Sequence, residues 1–193
     1  MSELVLARHG ATEWSRNGRH TGRTDLPLLD DGRRDAERLR GPLAERSFVR
    51  VLSSPLSRAL NTCKLAGLGD QVELTEKLLE WDYGEYEGVT TADIRKERPG
   101  WNLWTDGCPG GERAADVGAR MDKLIDELRD TDGDVALFGH GHALRVLATR
   151  WIGLSPENGA LFVLSTGTLS VLGSEHEWHA FRSWNAPVPE PGE

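Results

Sequence analysis

Short apolar runs alternate with helical patterns along this chain, and that alternation limits the fold more than any other feature. Residues 4–7, 49–52, 72–74 and 135–138 read as buried strands. Two further runs, 161–164 and 169–172, flank the turn-like Thr166-Gly167-Thr168, and 177–182 reads as a last strand. Helices are expected over 31–45, 57–65, 91–98, 112–129 and 143–151. The 112–129 helix is the clearest, because Val117, Met121, Leu124, Ile125 and Leu128 recur at three and four to make one apolar stripe. Gly41-Pro42 interrupts the first helix. A mid-helix proline costs about 3 kcal/mol, so a kink or break is expected there. The order of elements implies an α/β fold: three layers, α/β/α, around a mainly parallel sheet. The later strand pair permits an antiparallel edge, hence a mixed sheet.

The chain has 193 residues and no visible internal repeat, which favours one domain over 1–186. The proline-rich tail 187–193 cannot pair as a strand and is expected to be disordered. Lys+Arg number 23 against 31 Asp+Glu, a net charge of −8. That balance argues against a general nucleic-acid binder or a binder of anionic membranes, and it means an anionic substrate must be drawn in by a local basic pocket. No apolar run reaches bilayer length, and Met1-Ser2-Glu3 lacks the basic start of a signal peptide. A cytoplasmic address is therefore the default. Cys63 and Cys108 fit a reducing compartment, the first as a helix core residue and the second in a loop, with a catalytic thiol a minor alternative.

Five segments carry candidate chemistry. Arg8-His9-Gly10 closes the first strand, where open α/β sheets bind ligands. Arginine suits phosphate and histidine is a nucleophile or acid/base near neutral pH. A solvated Arg beside a capping His is the bland alternative. Ser54-Pro55-Leu56-Ser57-Arg58 follows the second strand and opens a helix. Arg58 is unfavourable at a helix N-terminus, and an anion held between the two would reverse that sign; a solvated Arg is the reading this segment favours by itself. Gly139-His140-Gly141-His142 ends another strand, and its glycines allow close approach to the backbone. His140 and His142 could bind a metal, but no third ligand has an obvious spacing; His142 reads as orienting the turn or capping the helix. Residues 79–88 crowd acids and aromatics without a clear period. Glu80, beside Leu78-Leu79, is the carboxyl best placed to be partly desolvated and to donate a proton. Trp101 and Trp104 lie in a Gly/Pro-rich loop, where they either pack that loop or wall a pocket for an organic leaving group. Glu112 and Asp116 suit the positive end of the following helix.

Taken together, Arg8-His9-Gly10-Ala11-Thr12-Glu13-Trp14-Ser15, Thr21-Gly22, Ser54-Pro55-Leu56-Ser57-Arg58-Ala59, Glu80 through Gly88 and Gly139 through Arg145 resemble the histidine phosphatase superfamily, in its phosphoglycerate mutase-like branch. The likeness runs to about Arg182 and is nearest to small acid phosphatases and sedoheptulose-bisphosphatase-like enzymes. The mutases' middle insertion with its arginine pair is missing, and Ser15 stands where the family has Asn. The resemblance implies a phosphoglycerate mutase-like fold and a two-step phosphoryl transfer. In it His9 attacks phosphorus with its other ring nitrogen fixed by a backbone carbonyl. Arg8, Arg58 and His140 surround the phosphoryl oxygens. Glu80 protonates the leaving oxygen and then activates water. Ser15, Thr21, Gly22, Tyr83 and Gly141 match substrate-side positions, and Arg145 either holds a second phosphate or pairs with an acid. No metal or other cofactor is implied, because cationic side chains supply the charge. The leading expectation is a metal-independent phosphomonoesterase for small phosphorylated metabolites such as sugar phosphates. A phosphoglycerate mutase-type transfer and a non-catalytic phospho-ligand binding module are the alternatives.

Overall fold

The computed structural model describes residues 2–188. Six strands, β1 (Leu4–Arg8), β2 (Phe48–Ser53), β3 (Val72–Leu74), β4 (Asp134–Gly139), β5 (Leu169–Glu175) and β6 (Trp178–Ala186), form one sheet in the order β3-β2-β4-β1-β5-β6. The first four are parallel, and β5 and β6 complete one edge in antiparallel pairing. The helices among the described residues are α1 (Glu13–Asn17), α2 (Asp30–Arg38), α3 (Arg40–Ala44), α4 (Ser57–Leu65), α5 (Thr91–Glu97), α6 (Leu103–Asp106), α7 (Ala114–Leu128) and α8 (Gly141–Trp151).

Strand alternation sorts the core into two layers. Leu4, Leu6, Val135 and Leu137 pack with Met121 and Leu124 of α7 and Leu144 and Leu147 of α8. Val5, Ala7, Ala136 and Phe138 face the opposite way, onto Leu39, Leu43 and Cys63. Successive side chains of a strand point to opposite faces, so both faces of the sheet are covered. This is the expected three-layer α/β/α arrangement around a mainly parallel mixed sheet. Burial on both faces is also why these strands read as unbroken apolar runs.

The break expected around Gly41-Pro42 is present: residues 31–45 form two helices, with α2 ending at Arg38. The ring of Pro42 clashes with a helical carbonyl four residues back, which is Arg38 itself. Two other local expectations are corrected. Residues 161–164 are not a strand: a 3-10 turn, Pro156–Leu161, runs into irregular chain with Leu161 and Val163 76% and 71% exposed. Side chains take the carbonyls that a ladder would use, Trp184 Nε1–H bonding Val163 and Arg8 bonding Leu164. Glu112 precedes α7 rather than opening it, and its carboxylate accepts from Arg120 and from the Asp82 amide. The short helix α1 has too few residues to show a period. Thr12 and Ser15 cap it reciprocally, and Gly18 closes it at φ +75°. Of the tail, Pro187 and Val188 are described and Val188 packs on the second core layer, while 189–193 lie outside the described residues.

Register decides what meets at the strand ends. Arg8 pairs with Gly139 and Ser53 with Phe138, so His9, Ser54 and His140 leave three adjacent strands side by side. The chain can turn there because Gly10 lies against Gly32 of α2: a Cβ on Gly10 would stand 2.0 Å from the Gly32 carbonyl oxygen. Backbone on backbone cannot yield as a side chain does. Gly10→Ala is therefore expected to destabilise at or above the upper end of the roughly 1–3 kcal/mol typical of overpacking. A denaturation midpoint equal to wild type would overturn this.

Candidate active site

A cavity of about 340 Å³ opens over these strand ends, within the roughly 300–1,000 Å³ range of small-molecule sites. His9 lies buried in its wall. The His9 Nδ1–H donates to the Gly10 carbonyl at 2.7 Å, which leaves Nε2 with its lone pair. Burial first, then the charges of Arg58 and Arg8, hold His9 well below the usual imidazole pKa near 6.5. It is a neutral imidazole at neutral pH. Arg8 also lines the cavity; it donates from Nη1 to the Leu164 carbonyl, and its Nε has no partner among the described residues. Gly141 makes room for that guanidinium, since a Cβ there would lie 3.1 Å from Arg8 Cζ.

Arg58 and His140 stand behind this front layer, fully buried, and do not line the cavity. His140 lies edge-on to His9 with ring centroids 5.2 Å apart. Its Nδ1 accepts from Arg58 Nε at 3.1 Å and its Nε2–H donates to Ser54 Oγ at 2.8 Å. Arg58 also donates to the carbonyls of Thr24, Thr21 and Gly22. Arg58 is therefore not the solvated side chain that its segment suggests, and the chain itself places an anion at this helix end: Asp25 Oδ1 accepts from both the amide and the hydroxyl of Ser57, at 2.8 Å each. Local sequence could not pair Asp25 with a helix that starts 32 residues later.

Glu80 is buried at the N-terminus of α8. Its Oε1 accepts from the amides of Trp81 and Ala143 at 2.9 and 2.8 Å, and its Oε2 from that of His142 at 3.1 Å. Ser15, Thr21 and Tyr83 line the cavity. Gly22 does not; its amide is held by Glu87 at 2.8 Å. Arg145 does not either. Its Nε donates to Gly159 at 2.8 Å and its guanidinium lies 4.7 Å over the Trp104 ring, so it pairs with no acid among the described residues.

Trp101 and Trp104 line the cavity, and Trp101 Nε1–H also ties the loop at Gly107. Two histidines that the sequence left without a site role line it too. His142 is paired at Nδ1 with the Tyr83 hydroxyl at 2.7 Å. His20 packs on the Tyr83 ring at 4.7 Å. Gly139-His140-Gly141-His142 is a signal that could have found the first; nothing near His20 singles it out. Neither cysteine is poised for nucleophilic work, since burial pushes both thiols up to about 12. No helix among the described residues is long and apolar enough to cross a membrane.

The neutral histidines carry a stability consequence. His9, His140 and His142 are all held well below 6.5, chiefly by burial. The unfolded chain binds protons at these positions below about pH 6.5 while the native state does not. Stability is then complete above that pH and falls below it, by roughly 1.4 kcal/mol per pH unit for each histidine that stays neutral. Tm should drop steadily between pH 7 and pH 5; a flat profile would contradict buried neutral imidazoles.

The histidine phosphatase superfamily (branch 1) model matches residues 4–187. A Mycobacterium tuberculosis protein named acid phosphatase is 44% identical over 178 residues, 90% of this chain and 87% of that one. Sedoheptulose 1,7-bisphosphatase of Saccharomyces cerevisiae is 37% identical, covering 78% of this chain and 67% of that one. Among solved structures, a Mycobacterium tuberculosis open reading frame aligns with TM-score 0.93 at 40% identity, over 97% of this chain and 99% of that one. Mycobacterial glucosyl-3-phosphoglycerate phosphatase, solved with VO3, aligns at 0.86 and 29% identity, over 96% and 100%. A match that runs from the first strand to the end of the last, carried by relatives this similar, means that the chain belongs to the histidine phosphatase superfamily.

Proposed function

We propose that this protein is a metal-independent phosphomonoesterase for small phosphorylated metabolites, acting through a phosphohistidine at His9. One observation carries the reading: a neutral imidazole whose Nδ1–H is tied to the Gly10 carbonyl, with its Nε2 lone pair in a cavity that also holds Arg8 and Glu80. In the first step His9 Nε2 bonds to phosphorus, the phosphorus–oxygen ester bond breaks, and the leaving oxygen takes a proton from Glu80. In the second, water gives a proton to Glu80 and bonds to phosphorus, the nitrogen–phosphorus bond breaks, and orthophosphate leaves. Arg8, with its unpartnered Nε, and Arg58 supply positive charge around the transferring group. Arg58 acts chiefly through its field and through the 21–24 loop and the His140 ring that it holds. His140 acts from behind the cavity wall, accepting from Arg58, holding Ser54 and standing edge-on to the His9 ring.

Relatives of 44% and 37% identity are named phosphatases, whereas those named phosphoglycerate mutases stand at 30% and 32%, which favours water as acceptor. Two free, buried thiols favour a reducing, cytoplasmic setting. Rapid quenching during turnover of a 32P-labelled phosphomonoester should leave label on the His9 peptide, labile to acid and stable to base. Turnover with no such adduct would sink the covalent route.

A further inference from the structure

Three arginines, Arg8, Arg19 and Arg95, line the cavity wall against one acid, Glu80. Arg8 and His9 lie deep, at the end of β1. Arg19 and Arg95 line the same cavity but are exposed, at its mouth. They share one side: the backbone at Arg19 bridges Thr90, and Arg95 lies one turn into α5, which begins at Thr91. Among the described residues the Arg19 side chain makes no hydrogen bond, and its charge reaches Asp93 only at a distance, as the last of the effects that lower that carboxyl. Arg95 engages only Nε, with the Trp101 carbonyl at 2.8 Å. The nearby carboxylate, Asp93, is committed to Lys96 at 2.6 Å and to the Thr90 hydroxyl. Glu80, deep in the cavity, is the only acid in its wall among the described residues. All this sits on a chain whose net charge is −8. Arg145, the other cation considered for a second anion, is turned onto Trp104 and Gly159.

We propose that Arg19 and Arg95 form a second anion subsite at the cavity mouth, so that the enzyme prefers substrates bearing a second negative group, phosphate or carboxylate, distal to the phosphate it removes. The proposal rests on the phosphatase reading above. The deep end takes the scissile group and the mouth takes the far charge, so the spacing between the two anions selects chain length. Guanidinium groups with free forks suit either oxyanion. Being exposed, they are screened by salt and act mainly on KM.

The test uses three series of alkyl phosphates of three to seven carbons, ending in a methyl group, a carboxylate or a second phosphate. The readout is a ratio within one protein, kcat/KM for the charged-tail member over kcat/KM for its methyl-ended partner. Wild type should give roughly five- to tenfold at low salt for at least one length, carried by KM and shrinking in 0.5 M NaCl. The carboxylate and phosphate arms identify which anion is preferred. In Arg19→Ala/Arg95→Ala the ratio should fall to near one, and Arg19→Glu should drive it below one. A ratio near one in wild type at every length, with methyl-ended substrates still hydrolysed, overturns the subsite alone. Persistence of the ratio in the double variant does the same. Failure of wild type to hydrolyse any of them, p-nitrophenyl phosphate included, overturns the phosphatase reading and the subsite with it.

Discussion

His9→Ala is expected to abolish turnover, with a loss of at least about 10⁴-fold in kcat, the scale seen when a covalent nucleophile is removed. The loss should be the same for good and poor leaving groups, because both need the nitrogen–phosphorus bond. Folding should survive. The His9 side chain makes one hydrogen bond, to its own neighbour Gly10, and the strand pairing through the His9 amide and the Gly139 carbonyl is untouched. The variant should therefore keep a cooperative thermal transition and still bind orthophosphate, with Arg8 and Arg58 in place. Wild-type activity in purified, folded His9→Ala would remove this imidazole as nucleophile and end the covalent mechanism. Resistance of the wild-type rate to EDTA is the companion result.

Glu80→Gln should cost roughly 10²–10⁴-fold with an alkyl phosphate, whose alkoxide needs a proton to depart. With p-nitrophenyl phosphate the cost should be much smaller, because that leaving group departs as a stable anion. The substitution is close to isosteric but not silent in the structure. The amide oxygen can keep the bonds from Trp81 and Ala143, while the new NH₂ faces the His142 amide, which loses its acceptor. That exchange costs about 1–3 kcal/mol of stability and is the same for every substrate. The split between leaving groups therefore isolates the proton from the packing. Equal losses with both substrates would reject Glu80 as the acid and return it to a structural role at the start of α8.

The strand ends that carry Arg8, Ser54 and His140 were legible because each follows an apolar run and precedes a helix start, a local pattern. The helix at Ser57–Leu65 and strand Val72–Leu74 were legible to the residue for the same reason. What failed locally did so for a non-local cause. Residues 161–164 have strand composition but lose their carbonyls to Arg8 and Trp184. The negative charge at the Ser57 helix end comes from Asp25, 32 positions away, which no local pattern pairs with it. His142 reads locally as a turn residue, and its partner Tyr83, 59 positions away, is what adds a place in the cavity wall.

The sequence by itself determined the order of elements, the two-faced burial of the central strands and the placing of one cation and two imidazoles at strand ends. These follow from periods of two and 3.6, and from glycine and proline, all of which act within a few residues. Tertiary structure decided that β4 lies between β1 and β2, and so put His140 5.2 Å from His9. It also buried Arg58 behind the site, turned Arg145 onto Trp104, and brought Arg19 and Arg95 to the mouth of the cavity. Strand order and side-chain partners depend on which distant surfaces pack together, and no local pattern records that.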